Sequence, residues 1–169
     1  MRINVYWIDN LDFGRLGLMP RPRGGDWLED EISSLKHLEV DAVVSLLEAH
    51  EIADLDIAAE QSLCEAQDIQ FLSFPIVDRN IPVSPPEFSR FAEKVASLLV
   101  NDKSVVVHCR QGVGRAGLLA TCVLILNGIS AEEALAKVSQ ARGCVVPETE
   151  EQKAFVLKFA EDTSRSKNF

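Results

Sequence analysis

The sequence predicts an α/β fold: a three-layer sandwich with a central, largely parallel sheet of four or five strands, flanked by about six helices. Two observations carry this. Short strand-like runs, such as residues 42–47 (Ala-Val-Val-Ser-Leu-Leu) and 104–108 (Ser-Val-Val-Val-His), alternate with longer segments whose apolar residues recur at helical spacing. The chain has 169 residues, 47% hydrophobic and 25% charged, which suits one globular domain with a real core spanning residues 1–169. No internal repeat or low-complexity segment interrupts it.

Residues 3–8 read as the first strand, and residues 12–25, rich in Gly, Pro and Arg, as a loop. Asp26 can cap a helix running to about Leu38, with Leu28, Ile32 and Leu35 on one face. Residues 42–47 make a buried strand, residues 55–67 a helix and residues 69–74 another strand. Ser84-Pro85-Pro86-Glu87 has the chemistry of a helix start: a serine cap, proline at the first position and glutamate three residues on. The helix it opens sets Phe88, Phe91, Val95, Leu98 and Leu99 at helical spacing. Residues 104–108 form the next strand and 113–126 the helix behind it, stopped by Asn127-Gly128. Ser130 with Glu133 opens a helix to about residue 141. Thr149 with Gln152 opens the last, to about residue 162.

The most informative stretch is residues 105–117, Val-Val-Val-His-Cys-Arg-Gln-Gly-Val-Gly-Arg-Ala-Gly. A strand, a tight loop and a helix start in that order build a concave anion site. Successive backbone N–H groups point inward and the positive end of the helix dipole lies beneath them. Gly112 and Gly114 allow the positive φ values that a tight ring needs. Cys109 at its rim is favoured as thiolate over thiol. Arg115 closes the ring with a planar fork matched to two phosphate oxygens. Parallel sheets bind ligands beyond the carboxyl ends of their strands, where Cys109 falls. A thiolate facing a phosphate-shaped cradle implies phosphoryl transfer to sulfur. That chemistry needs an acid for the leaving oxygen, and Asp78 is the best candidate, in a polar loop bracketed by Pro75 and Pro82. A plain turn aspartate is the alternative for that residue.

The net charge of −9 argues against nucleic acid or an anionic membrane as the main partner. An anionic substrate must be drawn by local charge, the candidates for binding it being Arg110, Arg115, Arg79 and the cluster Arg15, Arg21 and Arg23; for those outside the loop a solvated surface arginine is the alternative. No run approaches the roughly 18 apolar residues of a membrane helix, and the N-terminus lacks a signal-peptide stretch. Four widely spaced cysteines fit a reducing compartment, so a cytoplasmic enzyme is expected. His37, His50 and His108 show no ligand spacing, and no metal or other cofactor is expected.

The run His108-Cys109-Arg110-Gln111-Gly112-Val113-Gly114-Arg115-Ala116-Gly117 closely resembles the signature loop of the cysteine-based protein tyrosine phosphatases. The chain is most similar to their compact dual-specificity branch, which includes kinase-associated phosphatases, over about residues 15–160. The resemblance implies Cys109 as nucleophile and Arg115 as phosphate clamp. It implies the amides of Arg110, Gln111, Gly112, Val113, Gly114 and Arg115 as the oxyanion cradle, with His108 shaping the loop. Residues 74–82 resemble the family's general-acid loop, with Asp78 as the acid. Residues 146–152 resemble the segment carrying a functional glutamine, which would make Gln152 orient the attacking water; a capping box with Thr149 accounts for the same residue without catalysis. One departure stands out. Many members carry Ser or Thr where this chain has Ala116, and from the missing hydroxyl the resemblance implies a slower second step, a less readily ionised Cys109, or both.

The function implied is hydrolysis of phosphomonoesters on proteins, at phosphotyrosine and, through a shallow pocket, phosphoserine or phosphothreonine. The expected enzyme is a monomer that takes phosphate or vanadate as active-site ligands. The alternatives are a phosphatase of inositides or other small phosphomonoesters, an inactive phosphate-binding homologue, and a sulfurtransferase. Relatives acting on inositides tend to carry two lysines in the loop, where this chain has only Arg110 as an extra cation.

Overall fold

The computed structural model describes residues 3–168. Five strands form one sheet: β1 (Tyr6–Trp7), β2 (Arg15–Met19), β3 (Ala42–Ser45), β4 (Gln70–Ser73) and β5 (Ser104–His108), in the order β1-β2-β5-β3-β4. All neighbours are parallel except β1 with β2. Seven α-helices lie among the described residues: α1 (Leu28–His37), α2 (Ala49–Asp54), α3 (Glu60–Ala66), α4 (Pro85–Val100), α5 (Gly114–Leu126), α6 (Ala131–Arg142) and α7 (Glu150–Lys167).

The two faces of β5 explain the layering. Its residues alternate, so Val105 and Val107 join one apolar cluster and Val106 joins the other. The first cluster holds side chains of α4, α5, α6 and α7; the second holds those of α1 and α3. This is the expected sandwich. Helix α5 is buried from Gly114 to Ile125, because it is apolar on every side and sits between the sheet and α4, α6 and α7. Each fully buried Leu or Val there stabilises the fold by about 1.5–3 kcal/mol.

Helix starts follow the sequence where a cap is present. Ser84, Ser130 and Thr149 each accept a hydrogen bond from the backbone N–H three residues on. The Thr149–Gln152 capping box is complete in both directions. Asp26 does not cap α1: a short 3-10 turn at Gly25–Trp27 precedes it, and Leu28, Ile32 and Leu35 are buried as expected. The helix expected over residues 55–67 shrinks to α3, Glu60–Ala66; α2 ends at Asp54, before that span, and Asp56, with φ of +54°, lies between the two.

The largest correction concerns residues 12–25. Residues 15–19 are a full strand with Leu16, Leu18 and Met19 buried, and β2 lies beside β5. Its glycine and flanking prolines mask a strand that is specified by pairing with β5. The strand expected at residues 3–8 shrinks to Tyr6–Trp7.

Register decides where ligands meet the sheet. His108 is level with Met19 on one side and with Ser45 on the other, and Ser45 is level with Ser73. The carboxyl ends of four parallel strands therefore form one edge, and Cys109 follows β5 directly onto it. Phe74, leaving β4 at this edge, packs on Phe88 and Phe91 of α4 with ring centroids 5.8 and 5.1 Å apart.

Candidate active site

Residues 109–114 close a ring between β5 and α5, and the ring is held from outside by its carbonyls. The Arg110 carbonyl accepts from the Arg21 N–H at 3.2 Å. The Gln111 and Gly112 carbonyls accept from the Arg142 guanidinium at 3.1 and 3.2 Å. Arg142 is itself stacked on Tyr6, 4.1 Å from the ring centroid. With these carbonyls engaged by Arg21 and Arg142, the Gly112 N–H donates to Cys109 Sγ at 3.3 Å. Gly112 has φ of +74°, and a Cβ there would stand 2.5 Å from the Met19 carbonyl oxygen, so no other residue fits; Gly114, expected to share the positive φ, does not, because it is already the first residue of α5.

Arg115 enters from the first turn of α5 and is 1% exposed. Its Nη1 and Nη2 donate to the two carboxylate oxygens of Glu51 at 2.8 and 2.9 Å. Nη1 also reaches the Ile76 carbonyl at 2.8 Å, and Nη2 reaches Asp78 Oδ1 at 3.1 Å. Its Nε has no hydrogen-bond partner among the described residues. Burial works against the guanidinium charge, but Glu51, the Cys109 sulfur and Asp78 together raise its pKa. Burial likewise pushes the Glu51 carboxyl up, yet hydrogen bonds from Arg115, its own helix start and Arg110 bring it down to about 2. Sequence reading missed Glu51. A glutamate at a helix N-terminus is ordinarily a solvated cap, and Glu51 does complete a capping box with Glu48.

Asp78 and Arg79 lie on the segment between β4 and α4. Asp78 is half-exposed and reaches Arg115 across the cleft. Arg79 has φ of +62°, a left-handed backbone that side chains rarely adopt, and its Nη1 pairs with Glu148 Oε1 at 2.5 Å. Gln152 is fully buried: its Oε1 accepts from the Thr149 N–H, and its Nε2 donates to the Asn80 carbonyl at 3.1 Å. It therefore braces the segment that carries Asp78 against the start of α7.

His108 is buried, with Nε2 2.6 Å from Glu60 Oε1 and Nδ1 3.3 Å from the Cys109 carbonyl. Glu60 at the start of α3 is a second residue that sequence reading missed. The expected arginine cluster disperses. Arg15 starts β2 at the opposite edge of the sheet and stacks on Trp7. Arg23 pairs with Glu31 and stacks on Trp27. Arg21 touches the ring through its backbone.

These residues enclose a cleft of about 170 Å³, lined by Asp78, Arg79, Cys109, Arg110, Gln111, Gly114, Arg115 and Glu148. A tetrahedral oxyanion seated there would meet the Arg115 guanidinium and the Cys109 sulfur, with the carboxyl groups of Asp78 and Glu148 also lining the cleft. Among the described residues no group of three or more His, Cys, Asp or Glu side chains is placed to hold a metal ion.

Comparison with known proteins bears on this site. Residues 6–160 match a family model described as a Swiss Army Knife protein, DSP-PTPase phosphatase domain. Over 91 residues the chain is 30% identical to a protein of Invertebrate iridescent virus 6 described as a tyrosine phosphatase, a match covering 52% of this chain and 33% of that one. Over 71 residues it is 41% identical to the phosphatidylinositol 3,4,5-trisphosphate 3-phosphatase and protein-tyrosine-phosphatase PTEN1 of Arabidopsis thaliana, covering 41% of this chain and 17% of that one. The matched region is thus a third or less of the length of these curated relatives. A structure of kinase associated phosphatase, with serine replacing its catalytic-site cysteine, superimposes with a TM-score of 0.86 over 97% of both chains. At 20% identity that is a likeness of fold.

Proposed function

Because the chain belongs to the DSP-PTPase phosphatase domain family, we propose that it hydrolyses phosphomonoesters on proteins through a covalent phosphocysteine intermediate. The substrates are phosphotyrosine residues and, since the cleft is small and partly open, phosphoserine and phosphothreonine as well. In the first step the Cys109 sulfur attacks phosphorus, the ester P–O bond breaks and the leaving oxygen takes the proton of Asp78. In the second, water adds to phosphorus, the S–P bond breaks and the Asp78 carboxylate takes the water's proton. The amides of residues 110–115 and the Arg115 guanidinium hold the three phosphate oxygens throughout. His108 positions the start of the ring. Gln152 acts by fixing the Asp78 segment through Asn80, which leaves its amide close to the ring for the second step.

The observation that carries this reading is Arg115. A buried guanidinium is held by Glu51 on one side, lines the cleft beside Cys109, and keeps its Nε–H without a partner among the described residues. That is the posture of a group reserved for an anion. The chain works as one catalytic domain and as a monomer in the reducing cytoplasm, a placement supported by four free cysteines. None of the described helices is long and apolar enough to cross a membrane.

The test is rapid-quench turnover of a phosphotyrosine peptide labelled on phosphate. Label should appear on Cys109 and vanish in Cys109→Ser along with phosphate release. Release that survives in Cys109→Ser, or a sulfur-transfer activity in place of phosphate release, would overturn the reading.

A further inference from the structure

Three arginines stand around the cleft, and each is matched by a carboxylate. Arg115 is paired with Glu51 and Asp78, Arg110 with Glu51 at 3.4 Å, and Arg79 with Glu148 at 2.5 Å. Glu51 and Asp78 have work in the mechanism; Glu148 has none. Yet Glu148 lines the cleft, and a Cβ on Gly114, the first residue of α5, would stand only 3.0 Å from its Oε2. A fixed negative charge therefore lies against the ring meant to hold a dianion. Arg79, the one cleft arginine more than half exposed at its side chain, is turned toward that charge by a left-handed backbone. An otherwise free cation is occupied, and the background charge of −9 reinforces the bias.

We propose that Glu148 is a specificity-determining residue: it selects singly phosphorylated residues with neutral or basic neighbours and turns away acidic-flanked or multiply phosphorylated substrates. The inference rests on the phosphatase reading above and adds to it the charge class of the substrate. Glu148 acts in two ways with the same sign. Its own carboxylate repels a second anion beside the phosphate, and its hold on Arg79 withdraws the cation that would otherwise attract one.

The experiment compares kcat/KM for two phosphotyrosine peptides, one flanked by lysines and one by glutamates, with a soluble inositol polyphosphate as a third probe. The wild-type protein should favour the lysine-flanked peptide over both other probes. Glu148→Gln should move the ratio about fivefold toward the glutamate-flanked peptide, while Arg79→Gln moves it the other way. Glu148→Asp should stay near wild type, and raising salt should shrink the wild-type preference. The proposal is overturned if Glu148→Gln moves the ratio less than about twofold, or if both charge-removing variants move it in one direction. It is equally overturned if the wild-type protein prefers the inositol polyphosphate. Phosphate release from both peptides with an unmoved ratio would leave the phosphatase reading standing and this inference alone defeated; no release from any probe would defeat both.

Discussion

Glu51 and Arg115 meet as a two-pronged ion pair across 64 positions of sequence, both about 1% exposed, with Nη1 to Oε2 at 2.8 Å and Nη2 to Oε1 at 2.9 Å. Two charges taken out of water seldom add net stability, since desolvation offsets most of their attraction. What the geometry adds is orientation. One edge of the guanidinium is held by α2, so the opposite edge is fixed in the cleft before any substrate arrives.

Glu51→Gln should lower kcat/KM by roughly 10²-fold through lost orientation and cost about 3–5 kcal/mol, since it leaves Arg115 buried without its counter-charge. The pH dependence has a definite sign. The Glu51 carboxyl is held at about 2 in the folded protein, below its ordinary 4.5. Its contribution, on the order of 3 kcal/mol, is fully present above pH 4.5 and lost as pH falls toward 2. Urea unfolding of wild type and variant should therefore converge between those values. A stability gap that stayed constant down to pH 2 would show that ionisation of Glu51 is not what holds Arg115.

Asp78→Asn should slow hydrolysis of phosphotyrosine peptide by about 10²–10³-fold. It should barely affect an activated aryl phosphate, whose leaving oxygen needs no proton. The check is a plot of log kcat/KM against leaving-group pKa, shallow for wild type and steep for the variant. Parallel lines would mean that Asp78 supplies charge or structure rather than a proton.

The parts legible in the sequence were those set by near neighbours in the chain. Cys109, the ring glycines and Arg115 sit within seven positions, and Thr149 with Gln152 within four, so their geometry follows from one turn of backbone. What escaped depends on contacts the chain makes after folding. Glu51, Glu60, Arg142 and Glu148 look in sequence like ordinary surface charges. Each becomes specific only where the sheet order places β5 between β2 and β3. Strand β2 escaped for the same reason: its partner β5 lies about ninety residues away, beyond any local pattern.

Arg142→Ala should weaken binding of vanadate by about 5–30-fold, the equivalent of one or two lost hydrogen bonds. The ring loses its hold on the Gln111 and Gly112 carbonyls and must be ordered by the ligand instead. Arg142→Lys should not restore the affinity, since a point charge cannot span two carbonyls and stack on Tyr6. Vanadate titration followed by calorimetry measures both. Full affinity in Arg142→Lys would reduce the role to charge alone.

Ala116 follows the clamp arginine directly, in the first turn of α5, and offers no hydroxyl to a sulfur leaving phosphorus. Ala116→Ser should speed breakdown of the phosphoenzyme severalfold and shrink its steady-state level, with the first step little changed. Single-turnover kinetics with quenched phosphoenzyme separates the two steps. An unchanged or slower second step would rule out this account of the departure from the family pattern.

The remaining cysteines make a separate forecast about oxidation. Burial pushes the Cys64 thiol up to about 12, with Glu60 and Glu65 adding to it, and burial alone raises Cys122 well above its ordinary value. Attack on an oxidised Cys109 requires a thiolate, and neither residue supplies one near neutral pH. Cys144 is exposed. Iodoacetamide at pH 7.5 should therefore modify Cys109 and Cys144 in the native protein and leave Cys64 and Cys122 intact until denaturant is added. Peroxide treatment should accordingly yield no disulfide from Cys109 to Cys64 or Cys122. A peptide map showing either bond in native protein would mean that these thiols open to solvent far more readily than their burial implies.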